Sequence, residues 1–219
     1  MLPRAVIFDM DGLVLDTEPM GARAWDDAAR AAGIPFDPVV TSRLIGRTFS
    51  DCRTLILEHH GGDYPVDALM AGWHVAYDAL VEREGVAVKA GVVELLDWLD
   101  GAGIPRAVAT STRRLRARAK LERTGLWTRF DALVGGDEVA QGKPAPDIFL
   151  AAARLLEMPP AACLVLEDSV AGLAGAAAAG IPAIMVPDLC AAPAEVAGRP
   201  PRVMASLHDV RDWLAGLRP

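Results

Sequence analysis

Two carboxylates one residue apart close the short apolar run Arg4-Ala5-Val6-Ile7-Phe8-Asp9-Met10-Asp11-Gly12. A carboxylate, with a reference pKa of about 3.9, is ionised at neutral pH and can attack phosphorus without a base to activate it. Its difficulty is repulsion by a phosphate dianion. A divalent cation shared by Asp9, Asp168 and a phosphate oxygen would offset that repulsion, and hard oxygen ligands with open water positions suit Mg²⁺ better than zinc. Lys143 adds a compact positive charge, and Thr110 can donate its hydroxyl to a phosphate oxygen. Asp11 is spaced to protonate a leaving alkoxide and later to deprotonate the water that hydrolyses an aspartyl phosphate. This inventory suits phosphoryl transfer.

For these groups to act together, one rim must collect them. The run before Asp9 is too short for a helix and fits a buried strand of a parallel sheet, which puts both acids at its carboxyl end, where open α/β sheets bind ligands. Thr110 and Ser111 follow a second apolar run, Ala107-Val108-Ala109; Lys143 lies in the loop beyond Leu133-Val134; Glu167-Asp168 follow Leu164-Val165-Leu166. From Val88 onward helical and extended patterns alternate, which predicts a parallel sheet with helices on both faces. Residues 17–86 are helical throughout in pattern, with breaks at Gly33-Ile34-Pro35, Gly46 and Gly61-Gly62 and no strand signal. The expected organisation is a Rossmann-like α/β core from residues 1–15 and 88–219, with an all-helical domain of residues 16–87 inserted after the first strand.

Bulk properties narrow the partners. The chain has 219 residues, 52% of them hydrophobic, and a formal charge of −7; with no basic stripe, a nucleic-acid or anionic-membrane partner is not expected. Cys52, Cys163 and Cys190 show no CxxC spacing, so neither a disulfide framework nor a zinc site is expected. No export signal or membrane span is readable, and a cytoplasmic monomer is the default expectation.

The segments Asp9-Met10-Asp11-Gly12, Ala109-Thr110-Ser111, Lys143-Pro144-Ala145-Pro146-Asp147 and Leu166-Glu167-Asp168-Ser169 together resemble the four motifs of the haloacid dehalogenase superfamily. The match is to its subgroup with a helical cap after the first motif, and it spans nearly the whole chain. The continuation Gly12-Leu13-Val14-Leu15-Asp16-Thr17-Glu18-Pro19 is similar to sugar-phosphate and nucleotide phosphatases and to β-phosphoglucomutases. The resemblance implies Asp9 as nucleophile, Asp11 as acid/base, and Thr110 and Lys143 as phosphate ligands. It also implies Mg²⁺ held by Asp9, the Asp11 backbone carbonyl and Asp168, with Glu167 supporting the metal through water. Gly12, Glu18, Arg47 and Ser111 are the candidates for substrate contact. A surface arginine near a helix end is the plainer alternative for Arg47, and a helix N-cap the plainer one for Glu167-Asp168.

Departures within that superfamily discriminate among activities. True dehalogenases lack the second acid, since a halide leaves without a proton, and Asp11 is present. Phosphonoacetaldehyde hydrolases use a cap lysine, yet Lys89, Lys120 and Lys143 are the only lysines in the chain. β-Phosphoglucomutases carry a histidine where Met20 stands, and here the cap arginine directly follows its glycine in Gly46-Arg47-Thr48-Phe49. The expected activity is a phosphomonoesterase acting on a small phosphate monoester; a phosphomutase is the same-class alternative and a non-catalytic sugar-phosphate-binding protein the other. His59-His60 resembles a metal pair only superficially, because adjacent helical residues point about 100° apart. The basic run Arg113 to Arg118 reads as a solvated helix face unless Arg113 or Arg114 reaches the acids.

Overall fold

The computed structural model describes residues 2–44, 49–189 and 191–217. The chain divides into two compact units, Thr17–Val86 and Met1–Asp16 with Ala87–Pro219.

Residues of the first unit form α1 (Glu18–Ala32), α2 (Pro38–Leu44), α3 (Phe49–His60) and α4 (Val66–Glu84), with no strand among the described residues. Pro19 sits in the first turn of α1, where a missing amide costs nothing, and Gly33 ends the helix in the left-handed region at φ 65°. The buried residues of α1, Met20, Ala24, Trp25, Ala28 and Ala29, recur at helical spacing. Gly72 of α4 lies so close to Ala28 that a β-carbon there would stand 3.3 Å from Ala28 Cβ, so small residues set the α1–α4 approach. Trp25 packs against the rings of Phe36, Phe49 and Trp73 at centroid distances of 6.3, 5.7 and 5.6 Å. His59 and His60 close α3; His59 Nε2 lies 3.1 Å from Asp37 and His60 stacks on Tyr64.

The second unit carries β1 (Ala5–Phe8), α5 (Val92–Ala102), β2 (Arg106–Ala109), α6 (Arg114–Arg123), β3 (Ala132–Val134), α7 (Asp147–Leu155), β4 (Cys163–Glu167), α8 (Val170–Ala178), β5 (Ala183–Met185), β6 (Arg202–Val203) and α9 (Leu207–Ala215). The strands form one parallel sheet in the order β3-β2-β1-β4-β5-β6. β1 is central: Phe8 is level with Val108 of β2 and Leu166 of β4. The chain fills one side of β1 before crossing to the other, so the strand order reverses beside it, and the crevice at such a switch point is where ligands of open α/β sheets bind. All four β1 residues are buried, as expected for a strand covered on both faces. Ala5 and Ile7 join Ala107, Ala109 and Val165 in a core with Ile148, Phe149 and Ala152 of α7 and Ala176 of α8. On the alternate positions, Phe8 meets Phe130 edge-on at 5.6 Å. The glycine of α8 at 175 lets that helix close on the loop before α7, since a β-carbon there would lie 3.0 Å from the Ala145 carbonyl oxygen.

Candidate active site

The carboxyl end of β1 is locked before any side chain is placed. Asp9 donates its amide to the Leu166 carbonyl at 3.0 Å, and the amides of Val14 and Leu15 both bond the Met10 carbonyl at 2.9 Å. Gly12 closes this tight loop at φ 89°. A β-carbon there would stand 2.3 Å from Asp168 Oδ2, so the position requires glycine for both conformation and space.

Asp9, Lys143, Glu167, Asp168 and Thr110 are all buried. The ammonium of Lys143 donates to Asp9 Oδ1, to Glu167 Oε1 at 2.6 Å and to the Ala109 carbonyl at 3.0 Å. Glu167 is in turn held through Oε2 by the amides of Asp168 and Ser169 at 3.1 and 3.0 Å and by the Ser169 hydroxyl at 2.9 Å. That hydroxyl also accepts from the Gly172 amide at 3.0 Å, capping α8. A side chain at Gly172 would collide with the Glu167 carboxyl, whose carbon lies 1.9 Å from the β-carbon position. Burial pushes the Asp9 carboxyl up to about 8; Lys143 opposes that shift and the Glu167 charge adds to it. For Lys143, burial works against the ammonium, but the two carboxylates outweigh it and the group is raised above its ordinary value.

Asp9, Glu167 and Asp168 each offer a carboxylate oxygen, all within 4.8 Å of one another. With Asp9 ionised, three carboxylates against one ammonium leave a formal excess of two negative charges, the charge a divalent cation carries. An all-oxygen donor set fits Mg²⁺, a hard cation. Both oxygens of Glu167 accept hydrogen bonds, and Oδ1 of Asp9 accepts from Lys143.

Asp11 turns to the other side of the loop. Its Oδ1 accepts from Lys120 Nζ of α6 at 2.7 Å, and its Oδ2 accepts from the Thr112 hydroxyl at 2.7 Å and the Thr110 hydroxyl at 3.3 Å. Thr110 is fixed by its amide to the Val134 carbonyl, and its hydroxyl accepts from the Thr112 amide at 3.1 Å. Ser111 is exposed at the same turn, and its carbonyl lies against Gly136. Glu18 is the first residue of α1, in the other unit, and Arg47 lies outside the described residues. Neither Arg113 nor Arg114 bonds the acids: Arg114 pairs with Glu138 at 3.0 Å and Arg113 approaches Asp137 at 3.8 Å. The basic residue of this helix that reaches the site is Lys120, which the sequence analysis does not single out. Its signal is position: Ala117, Lys120 and Leu121 share the buried face of α6, where a lysine is out of place unless it has a partner.

A second pair escapes the sequence reading. Lys89, just past the return from the helical unit, bonds Asp188 Oδ1 at 2.5 Å, and Asp188 Oδ2 is buried without a hydrogen-bond partner.

This constellation on a six-stranded parallel sheet belongs to a known class. The haloacid dehalogenase-like hydrolase family matches residues 3–180, and the chain is a member of that family. Among curated relatives, protein CbbY of Rhodobacter capsulatus is 36% identical over 193 residues, covering 84% of this chain and 85% of its own. A phosphorylated carbohydrates phosphatase of Thermotoga maritima is 33% identical over 177 residues, 81% and 82% of the two chains. A variant of CbbY from Rhodobacter sphaeroides, solved with xylulose-(1,5)bisphosphate, superposes with a TM-score of 0.78 at 28% identity, over 95% and 96% of the two chains. No helix among the described residues is long and apolar enough to cross a membrane.

Proposed function

We propose that this hydrolase is a Mg²⁺-dependent phosphomonoesterase, acting on a small sugar phosphate or nucleoside monophosphate through an aspartyl phosphate on Asp9, with residues 16–87 as its helical cap. The observation that carries the reading is the buried Lys143 ammonium shared by Asp9 and Glu167, beside Asp168 and with Asp11 two residues on. The relatives named as acting on, or solved with, phosphorylated carbohydrates support the substrate class.

A divalent cation held by Asp9, Asp168 and the Asp11 backbone carbonyl would neutralise the carboxylate excess and the phosphate charge. An oxygen of Asp9 attacks phosphorus in line, the P–O ester bond breaks, and the alkoxide takes a proton from Asp11. Lys143 and the Thr110 hydroxyl bind the phosphoryl oxygens as they gain charge. Water then attacks the aspartyl phosphate, gives its proton to Asp11, and leaves inorganic phosphate and free Asp9. Gly12, Ser111, Glu18 and Arg47 remain the candidates for substrate contact, with Arg47 outside the described residues.

Release of phosphate from p-nitrophenyl phosphate, abolished by EDTA and by Asp9→Asn, tests the chemistry. A panel of sugar phosphates and nucleoside monophosphates then names the substrate. Interconversion of sugar-phosphate isomers without net phosphate release would identify a mutase instead.

A further inference from the structure

We propose that Lys120 is a positioning residue for Asp11; the inference rests on the acid/base role just given to that carboxylate. The argument starts from cost. A lysine 9% exposed on the buried face of α6 has lost most of its hydration, and such an ammonium is retained only with a close acceptor. Lys120 reaches across the fold to Asp11 Oδ1 at 2.7 Å. By contrast, Arg118, on the same helix, pairs with Glu122 one turn away at the surface.

The geometry of the grip matters as much as its charge. A carboxylate held at one oxygen can still swing about its own axis. Asp11 is held at both, by Lys120 from α6 and by Thr112 from the loop after β2, and these donors are fixed independently. The Thr112 carbonyl accepts from the Gly136 amide at 3.0 Å, which anchors the loop, and Lys120 is carried by a ten-residue helix. Each acid of the pair therefore has its own lysine: Lys143 for the nucleophile, Lys120 for the proton carrier. The Asp11 carboxylate bonds Lys120 and the Thr110 and Thr112 hydroxyls, while that of Asp9 bonds Lys143. In this scheme Lys120 acts through Asp11, whose carboxylate it bonds.

The test separates proton delivery from general damage. An alkyl ester such as glycerol 2-phosphate needs its leaving alkoxide protonated, whereas p-nitrophenolate departs without a proton. Lys120→Met should lower kcat/KM for glycerol 2-phosphate about 10- to 100-fold and that for p-nitrophenyl phosphate only a few-fold. Orthovanadate inhibition should stay near wild type, and Lys120→Arg should recover most of the loss. Lys120→Met added to Asp11→Asn should cost little more than Asp11→Asn alone. Equal losses on both esters, or independent effects of the two substitutions, would overturn the proposal. Should Lys120→Met fold poorly, Thr112→Val must show the same ester selectivity at smaller size. A crystal structure of Lys120→Met, which needs no turnover, should show the Asp11 carboxylate turned; an unmoved carboxylate sinks the idea. If wild-type protein releases phosphate from neither ester, the phosphatase reading itself fails, a result distinct from active wild type with an indifferent Lys120.

Discussion

Asp9 and Asp11 are separated by one residue, yet they occupy different physical environments. The Asp9 and Lys143 side chains are 10% and 4% exposed and share a cluster with a fully buried glutamate; those of Asp11 and Lys120 are 23% and 11% exposed and meet hydroxyls. The first pair is dry and charge-rich. The second is half open, and its hydroxyl partners can turn as a proton comes or goes. Period-two alternation alone would put residues 9 and 11 on one face; the strand ends at Phe8, however, and the chain turns at Met10, whose carbonyl accepts from the Val14 and Leu15 amides. A nucleophile gains from the dry side, where electrostatic interactions are stronger, while a proton carrier needs access to water.

The comparison can be broken most directly at Asp9, the proposed nucleophile. Asp9→Asn should reduce phosphate release by about 10³-fold or more, as expected when a covalent step is removed, and single-turnover trapping on any residue other than Asp9 would dissolve the asymmetry. Lys143→Met should follow at about 10²- to 10³-fold in kcat, together with a lower melting temperature, because two buried carboxylates lose their shared ammonium; a variant as active as wild type would return Lys143 to a structural role. Gly172→Ala reaches the dry side without touching substrate. It should cost about 2–3 kcal/mol in denaturant unfolding, because the new methyl meets the Glu167 carboxyl.

Proton linkage sharpens the contrast further. With Asp9 raised from 3.8 to about 8, the metal-free native protein holds a proton that the unfolded chain has released. Between about pH 4 and 8 the native state therefore binds more protons, and stability falls as pH rises through that window. Melts in EDTA should be higher at pH 6 than at pH 8. Calorimetry near pH 6.5 in buffers of different ionisation enthalpy should detect a proton released as Mg²⁺ binds; buffer-independent heats would contradict the shift. The smallest effect is expected from Ser169→Ala, about 1 kcal/mol for the lost cap of α8, with phosphatase activity lowered only modestly.

The same contrast marks what the sequence made legible. Strands ending in acids, a threonine or a glycine-bounded turn were readable because a buried run and its polar end are contiguous: Ala132–Val134 and Cys163–Glu167 emerge from local pattern alone. β6 was not, since Arg202–Val203 is a two-residue exposed edge with no alternation to detect. α9 follows Ser206, which caps it by accepting from the Asp209 amide, a signal present in Ser206-Leu207-His208-Asp209 but left unread. Lys120 was hidden by its neighbours: amid Arg113, Arg114, Arg116, Arg118 and Arg123, one more positive charge looks like solvated surface, and only the helix's orientation separates it from them. Asp188 and Lys89 meet across 99 positions, a distance no local pattern spans. The residues of the dry side thus announce themselves in short motifs, while those that hold Asp11 depend on tertiary contact.

The central place of β1 bears on the order in which the chain can be built. Phe8 is level with Val108 and Leu166, so this strand has no sheet neighbour until a hundred residues have followed, and none on its other side until much later. The helical unit, whose contacts lie within residues 17–86, can form in that interval, because local contacts close fastest. The nascent chain therefore carries the buried, apolar β1, which bears the proposed nucleophile, unpaired while the helical unit forms.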